Sequence, residues 1–380
     1  MSVRLRFFTI LLFIVFVEYF GLTQISSQTG TNLSDRDKAG LRGPVKTVVD
    51  EQTLTTFEAK TFISTEVIEY SPDGRFMERR HDNPDGSQWV TAYTYAADGR
   101  LLKVSYGKDG TSPDSETTYQ YDEQKRLLGT KSGDRNEIRY QYDETGGKTM
   151  IESYSQEPLQ AGVAYVSHWD GTDLGFGRLP GGKVVTSYNE KDVAIGAKFY
   201  DTQAKLVGHI ERQFDAQGRV ISEKQIADAP ELLVPEEFGS QLNSEQLKAV
   251  GGFMAAGMHD RGISYSYDAQ GRMTQRRRNG GVFGEEVTAT TYNEQGDKTL
   301  ETTTAAMNPE FGKVYGLSEG GVMVPTGNAP PAQPPSTYET KYTYEYDQRG
   351  NWTEQKVESR STSGEPYTTT TTYRRKLTYY

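Results

Sequence analysis

The chain has 380 residues, a hydrophobic fraction of 34%, a mean hydropathy of -0.71 and a formal net charge of -10. The acidic balance repels phosphate backbones and argues against a nucleic-acid partner, and the lack of cysteine excludes disulfides, thiolate catalysis and Cys-ligated zinc. Because 25 tyrosines outnumber 15 phenylalanines, the composition favours thin, half-exposed strands, where a phenol ring buries its body and keeps its hydroxyl in water.

The first predicted element is an export signal over residues 1–27. Two arginines precede an apolar run, residues 7–17, which is too short to span a bilayer comfortably. Cleavage after Ser27 would release a mature chain without a membrane span into the periplasm, the cell surface or the medium; an uncleaved anchor is the alternative. The polar residues 28–40 are predicted to form a flexible leader.

One sequence unit recurs through the rest of the chain, and its clearest copy is ISYSYDAQGRM at residues 263–273. Tyr265 and Tyr267 alternate along a strand and so share one face. Asp268 begins a turn whose backbone N–H groups its carboxylate bonds, and Gly271 takes the positive-φ position that closes a hairpin with a bulge. The predicted turn residues are Asp73, Gly74, Asp98, Gly99, Asp122, Asp143, Gly146, Asp215, Gly218, Asp268, Gly271, Gly296, Asp347 and Gly350.

The repeated Tyr-x-Tyr-Asp-x-x-Gly-Arg pattern resembles the RHS/YD-repeat family, and the segments 41–46, 350–353 and 379–380 resemble features of its short exported bacterial members. The resemblance implies β-hairpins wound into long curled sheets, with roles in toxin shells, adhesion or sugar binding. The family's core-associated segment and toxin domain are not recognised here, which argues against a toxin shell. We therefore predict an all-β fold over residues 41–380: tandem antiparallel β-hairpin repeats in an elongated, twisted or curled sheet.

Two insertions interrupt the repeat. Residues 226–262 contain Asn243 followed three residues later by Gln246, a capping-box pattern that predicts a small helical insertion. The pair Gly251-Gly252 weakens such a helix by about 1 kcal/mol per glycine relative to alanine. Residues 304–338 are rich in proline and glycine, which resist helix and strand alike, and are predicted to form a surface loop.

Motifs for chemistry are scarce. The four histidines lack metal-ligand spacing, and the phosphate-loop-like segment 177–184 has Val184 where serine or threonine is required. We therefore predict no enzyme activity, no cofactor and no metal site. Trp89, Trp169 and Trp352 are the candidate ligand-binding residues, because aromatic rings stack on sugar faces; ordinary sheet packing is the alternative use of these rings.

These patterns predict a non-enzymatic, exported binding or scaffold protein of the bacterial cell envelope, with a glycan or an envelope protein as its partner. One alternative is a polysaccharide hydrolase, which two convergent carboxylates about 5–9 Å apart would favour. Another is a shell or carrier for a separately encoded cargo, which a closed hollow with an apolar interior would favour. A concave surface lined by tyrosine, threonine and lysine would favour binding.

Overall fold

The structure is a computed structural model. It describes residues 34–55, 61–109, 113–132, 136–144, 147–154, 174–176, 182–234, 239–255, 261–281, 284–308, 315–317, 323–325, 334–361 and 366–380. The predicted export signal, Trp169 and Gly146 lie outside these described residues.

Antiparallel hairpins make up the fold, as the repeat predicts. Within the described residues, twenty strands join in one sheet, and their bounds are β1 Val45–Thr55, β2 Thr61–Tyr70, β3 Phe76–Asp82, β4 Gln88–Tyr95, β5 Leu101–Lys108, β6 Ser115–Tyr121, β7 Leu127–Ser132, β8 Asn136–Tyr142, β9 Lys148–Tyr154, β10 Lys183–Tyr188, β11 Ala194–Tyr200, β12 Leu206–Phe214, β13 Val220–Ala227, β14 Gly262–Tyr267, β15 Met273–Asn279, β16 Glu285–Tyr292, β17 Lys298–Ala306, β20 Ser336–Tyr346, β21 Trp352–Arg360 and β22 Thr368–Tyr379. Two short strands, β18 Tyr315–Leu317 and β19 Met323–Pro325, pair separately inside the predicted 304–338 loop.

The sheet closes on itself, so the prediction of an elongated, twisted or curled sheet was wrong. Each strand pairs with its neighbours in chain order, and β1 pairs both with β2 and with β22: Val48 lies opposite Ile68 on one side and Leu377 on the other. The strands form a barrel of twenty strands. Closure pairs the two edges that an open sheet would leave with unsatisfied N–H and C=O groups. The repeat fixes each local hairpin, whereas closure depends on the summed twist of all of them.

The turns follow one geometry. Gly271 has φ 83 at the last turn position, and its N–H donates to the Asp268 carbonyl. Lys125, Asp192 and Ala204 occupy the equivalent position in their turns with φ of 66, 62 and 59, although none is glycine. The Gly147 N–H donates to the Asp143 side chain. The remaining predicted turn glycines have positive φ as well: Gly74, Gly99, Gly218, Gly296 and Gly350.

The two faces of the sheet differ in exposure. In β6 the alternating residues Thr117, Tyr119 and Tyr121 are half-buried while their neighbours are exposed, and β14 repeats this alternation. The strand register carries the pattern from hairpin to hairpin, and we call the less exposed side, which holds Tyr119 and Tyr265, the tyrosine face. Because a closed sheet has one concave side on which side chains crowd together, we assign the tyrosine face to that side.

Among the described residues, two clusters of buried apolar side chains pack on this sheet. In one, Phe176 packs edge-on against Phe199 of β11, with ring centroids 5.0 Å apart, next to Ile210 and Ile263. The other gathers Val48, Ile68 and neighbouring apolar residues where β1 meets β2 and β22. The rest of the sheet is held by side chains that are polar or amphipathic, which agrees with the low hydropathy.

Helices are few in the described residues. Helix α1, Asp35–Lys38, lies in the predicted leader and contacts the first hairpin, where the Phe76 N–H donates to Asp35. A 3-10 helix, Pro230–Leu233, and helix α2, Ser244–Met254, form in the helical insertion, with the predicted capping box of Asn243 and Gln246 at the start of α2. A Cβ on Gly251 would lie 2.4 Å from the Pro230 carbonyl oxygen, so this glycine permits the two helices to approach.

Candidate functional site

A repeated set of contacts joins each hairpin to the next at the turn end of the sheet. Asp268 accepts hydrogen bonds from the backbone N–H of Gln270 and Arg272 and from the Arg272 Nε, at 3.0, 2.8 and 2.7 Å. The Arg272 guanidinium lies 4.9 Å from the ring centroid of Tyr292 in the next hairpin, and the Tyr292 hydroxyl donates to the Met273 carbonyl at 2.6 Å. We call this arrangement the turn ladder.

The turn ladder uses the side chains that define the sequence repeat. Burial opposes ionisation of Asp268, but the hydrogen bonds from the Arg272 backbone and side chain outweigh it and lower the pKa of this carboxyl. Each such aspartate is thus ionised and holds the turn of its own hairpin through hydrogen bonds. Each arginine then contacts the tyrosine ring of the next hairpin. Equivalent cation–ring contacts join Arg75 to Tyr95, Arg100 to Tyr121, Arg126 to Tyr142 and Arg219 to Tyr267.

A cavity of about 350 Å³ opens in the turn ladder beside Lys148. The Lys148 Nζ lies 3.9 Å from the ring centroid of Tyr188 and also forms an ion pair with Asp192. The cavity is thus lined by Lys148, whose charge is already paired with Asp192. It is part of the turn ladder, because Arg126 and Tyr142 line it as well.

The three segments 41–46, 350–353 and 379–380 meet at the seam where the sheet closes. Asn351, only 4% exposed, accepts from the Arg42 N–H at 2.7 Å and donates to the Arg42 carbonyl at 2.9 Å and to the Tyr379 hydroxyl at 3.0 Å. The Tyr380 N–H donates to the Pro44 carbonyl. These residues align β1 with β22.

Trp352 also lies at the seam. The Arg375 guanidinium sits 3.6 Å from its ring centroid and donates two hydrogen bonds to Asp50, at 2.7 and 2.6 Å. One face of the indole is therefore occupied by a fixed cation. This placement gives Trp352 a structural contact and leaves a ligand at most the other ring face.

The opposite half of the tyrosine face, away from the turns, carries exposed aromatic rings. Phe62 is 44% exposed, Tyr106 43% and Tyr338 48%. Strand alternation places Phe62 on the same face as Ile68, and Tyr338 on the same face as Tyr342. Together with Trp89, these residues define what we call the aromatic arc: Phe62, Trp89, Tyr106 and Tyr338.

Trp89 and Tyr106 form the best-ordered part of the aromatic arc. Their rings stack nearly parallel, with centroids 5.0 Å apart and an interplanar angle of 8°. In the register, Trp89 lies opposite His81 of β3, and Tyr106 lies opposite Thr91 of β4. The pair presents a flat apolar surface flanked by groups that can donate or accept hydrogen bonds.

Charged side chains on the tyrosine face are matched with partners of opposite sign. Arg79 donates to Glu66 at 2.7 Å, and Arg212 donates to the nearly fully buried Glu223 at 2.6 Å. Burial raises the pKa of Tyr265 first, and its hydrogen bond to Glu223 raises it further. These ion pairs balance their own charges, whereas His81 and Lys108 lie opposite Trp89 on the two neighbouring strands.

A polysaccharide hydrolase would need two convergent carboxylates on this face. Asp50 lies opposite Glu66 across β1 and β2, so the register brings two acids together. Each of them, however, is tied to an arginine, Asp50 to Arg375 and Glu66 to Arg79. In the described part of the chain, no cluster of three or more histidine, aspartate or glutamate residues is arranged to hold a metal ion.

None of the helices in the described ranges has the length and hydrophobicity needed to cross a membrane. Neither a protein-family model nor a curated protein matches the chain. Solved structures similar to it include a porin-like protein from Bacteroides uniformis, with 12% identity over 89% of this chain and 98% of that chain and a TM-score of 0.27. The TcdB2-TccC3 structure without its hypervariable C-terminal region has 12% identity over 82% of this chain and 20% of that chain, with a TM-score of 0.24.

A third similar structure, a LolA superfamily protein from Nitrosomonas europaea, has 11% identity over 50% of this chain and 81% of that chain, with a TM-score of 0.15. TM-scores this low identify no family and no function.

Sequence reasoning selected tryptophans by residue type and missed Phe62, Tyr106 and Tyr338. A signal for two of them was present, because Phe62 and Tyr338 fall at even steps before the turn aromatics Tyr70 and Tyr346. Tyr106 follows a bulge between Thr94 and Tyr95, which shifts the alternation on the return strand.

Proposed function

We propose that this protein is an exported, non-enzymatic carbohydrate-binding protein of the YD-repeat type in the bacterial cell envelope. The observation that carries the proposal is the stacked pair formed by the half-buried Trp89 and the exposed Tyr106 on the tyrosine face. The turn ladder uses its own aromatic residues for hairpin coupling, so the open rings of the other half are the ones available to a ligand.

The groups around the pair suit a sugar better than an acyl chain. A pyranose ring offers an apolar C–H face to an aromatic ring and hydroxyls around its edge, so it needs stacking and hydrogen bonding together. Thr91 and His81 lie beside the aromatic pair on the same face, and Ser64 and Gln52 lie opposite each other on the neighbouring strands. An acyl chain would leave these polar groups unsatisfied.

The test is a glycan array on the mature chain, followed by titration calorimetry with the best ligand. We expect Trp89→Ala and Tyr106→Ala each to weaken binding about tenfold, from the loss of a stacking contact of about 1.4 kcal/mol. Trp352→Ala is the matched control, because that ring packs against Arg375 at the seam and lies outside the aromatic arc. Binding that ignores Trp89 and Tyr106, or no glycan binding, would refute the proposal.

The same titrations distinguish a hydrolase. We expect the bound glycan to be recovered intact after prolonged incubation with the protein. Release of new reducing ends that Asp50→Asn abolishes would support the hydrolase alternative, with Asp50 and Glu66 as the acid pair.

A carrier or shell for a separately encoded cargo is the second candidate, favoured by the closure of the sheet. Its interior face carries ion pairs, such as Arg79–Glu66 and Arg212–Glu223, beside the two apolar clusters, in contrast to the uniformly apolar hollow that a hydrophobic cargo needs. Native mass spectrometry of the protein purified from its own host would decide: a stoichiometric second mass that is lost when the seam is opened by Arg375→Ala supports the carrier.

A further inference from the structure

We infer that the ligand is a linear, uncharged polysaccharide that lies along the whole aromatic arc, rather than a single terminal sugar held at Trp89. This inference rests on the proposed function, and it adds the class of ligand and the direction in which it runs.

The rings of the arc lie on a diagonal across the strands. The register links Trp89 through His81 to Glu66 of β2, and Phe62 lies farther along β2, at 66 - 62 = 4 residues from that row. Two strand steps and four residues separate Trp89 from Phe62 by ~16 Å. This is longer than one sugar ring, so one monosaccharide cannot contact both.

The diagonal continues in the same sense across the seam. Through β1, β22 and β21, the row of Phe62 reaches Tyr342 of β20. Tyr338 lies 342 - 338 = 4 residues farther from the turns than Tyr342. Phe62 likewise lies four residues farther from the turns than the row of Trp89. Four strand steps and four residues correspond to ~23 Å. The arc is therefore ~40 Å long, and the Trp89–Tyr106 pair, Phe62 and Tyr338 lie apart from one another by more than one sugar.

The surface between the rings carries polar groups and ion pairs beside the apolar Leu54 and Val357. The Gln52 amide lies 3.4 Å from the Tyr373 hydroxyl on this face, and both can bond a sugar hydroxyl. The acids along the path are neutralised by the chain: Asp50 by Arg375 and Glu66 by Arg79. Along this path Arg375 and Arg79 already pair with acids, so a uronate or phosphate polymer would gain few ionic contacts from them, whereas a neutral chain needs none.

The experiment uses the full mature chain and size-graded oligosaccharides of one neutral glycan that binds on the array. We expect affinity to rise with chain length until the oligosaccharide reaches ~40 Å, and then to level off. Phe62→Ala and Tyr338→Ala should each weaken the longest chains about fivefold and leave the disaccharide unchanged, since each removes one distant stacking contact. Ile63→Ala is the control, because Ile63 is 51% exposed and alternation places it on the opposite face.

The outcomes separate this inference from the proposed function. Affinity that is flat with chain length, while Trp89→Ala still weakens binding, overturns the extended ligand and leaves the sugar site intact. Tighter binding of a polyanionic glycan with strong salt dependence overturns the uncharged class. No binding of any glycan removes the proposed function itself. Unchanged circular dichroism and melting temperatures of the variants verify that the exposed rings are not needed for folding.

Discussion

Two adjacent glycines of helix α2 allow a close test of the packing of the helical insertion. A Cβ on Gly251 would lie 2.4 Å from the Pro230 carbonyl oxygen, 2.6 Å from its carbon and 2.7 Å from the Glu231 nitrogen. A Cβ on Gly252 would have nothing within 4 Å. The two positions therefore share helix propensity and differ only in the neighbouring backbone.

The magnitudes follow from these distances. Alanine in place of glycine favours a helix by about 0.5–1 kcal/mol, so Gly252→Ala should stabilise the insertion by that amount. Gly251→Ala gains the same term, but α2 must move away from the 3-10 helix, and such overpacking costs about 1–3 kcal/mol. Because the obstacle is backbone, which yields less than a side chain, we expect Gly251→Ala to be net destabilising by about 2 kcal/mol.

Native-state hydrogen exchange of the amides in α2 is the appropriate assay, because it reports on the insertion separately from the sheet. Protection should increase in Gly252→Ala and fall in Gly251→Ala, by about a hundredfold between the two. Equal protection in the two variants would show that α2 does not approach Pro230 as described.

Three further predictions concern the sheet. Ala204→Gly should stabilise the protein by about 0.5–1 kcal/mol and Gly218→Ala destabilise it by about 1 kcal/mol, since both turn positions have positive φ, of 59 and 80; opposite shifts in the urea midpoint verify this, and equal signs contradict it. Arg375→Ala should cost about 3 kcal/mol because it leaves Asp50 unpaired at the seam, and the double variant with Asp50→Ala should recover part of that loss. Burial, followed by its hydrogen bond to Asp297, raises the pKa of Tyr346 to about 12; the folded state therefore favours the neutral phenol, and this stabilisation is complete below the unfolded pKa near 10 and lost as the pH rises through about 12. The urea midpoint should therefore fall as the pH rises through that window, and a midpoint unchanged between pH 10 and pH 12 would contradict it.

The sequence predicted best where neighbouring residues determine the structure. The turn at Asp268 to Gly271 and the capping box at Asn243 are each formed by residues within four positions of one another, so local chemistry was sufficient. Closure could not be read in this way, because it pairs Val45 with Tyr379. No local pattern shows whether the summed twist of many hairpins returns the last strand to the first.

The candidate site was predicted only in part, for a related reason. Aromatic character pointed to tryptophan, but function depends on which ring surfaces remain open after the sheet has formed. Trp352 lies under Arg375, whereas the less conspicuous Tyr338 remains exposed. The bulge before each turn also changes which residues of the return strand face inward, and so Tyr106 was missed.

The pairing of β1 with β22 has a consequence for how the polypeptide acquires its native state. A chain that is synthesised from its amino terminus forms an open sheet with two unpaired edge strands. These edges stay unpaired until β22 has been synthesised and pairs with β1. Biogenesis therefore has one late, all-or-none step across more than three hundred residues. A nonsense mutation that removes only the last dozen residues would yield an aggregation-prone species, rather than a slightly smaller version of the same protein.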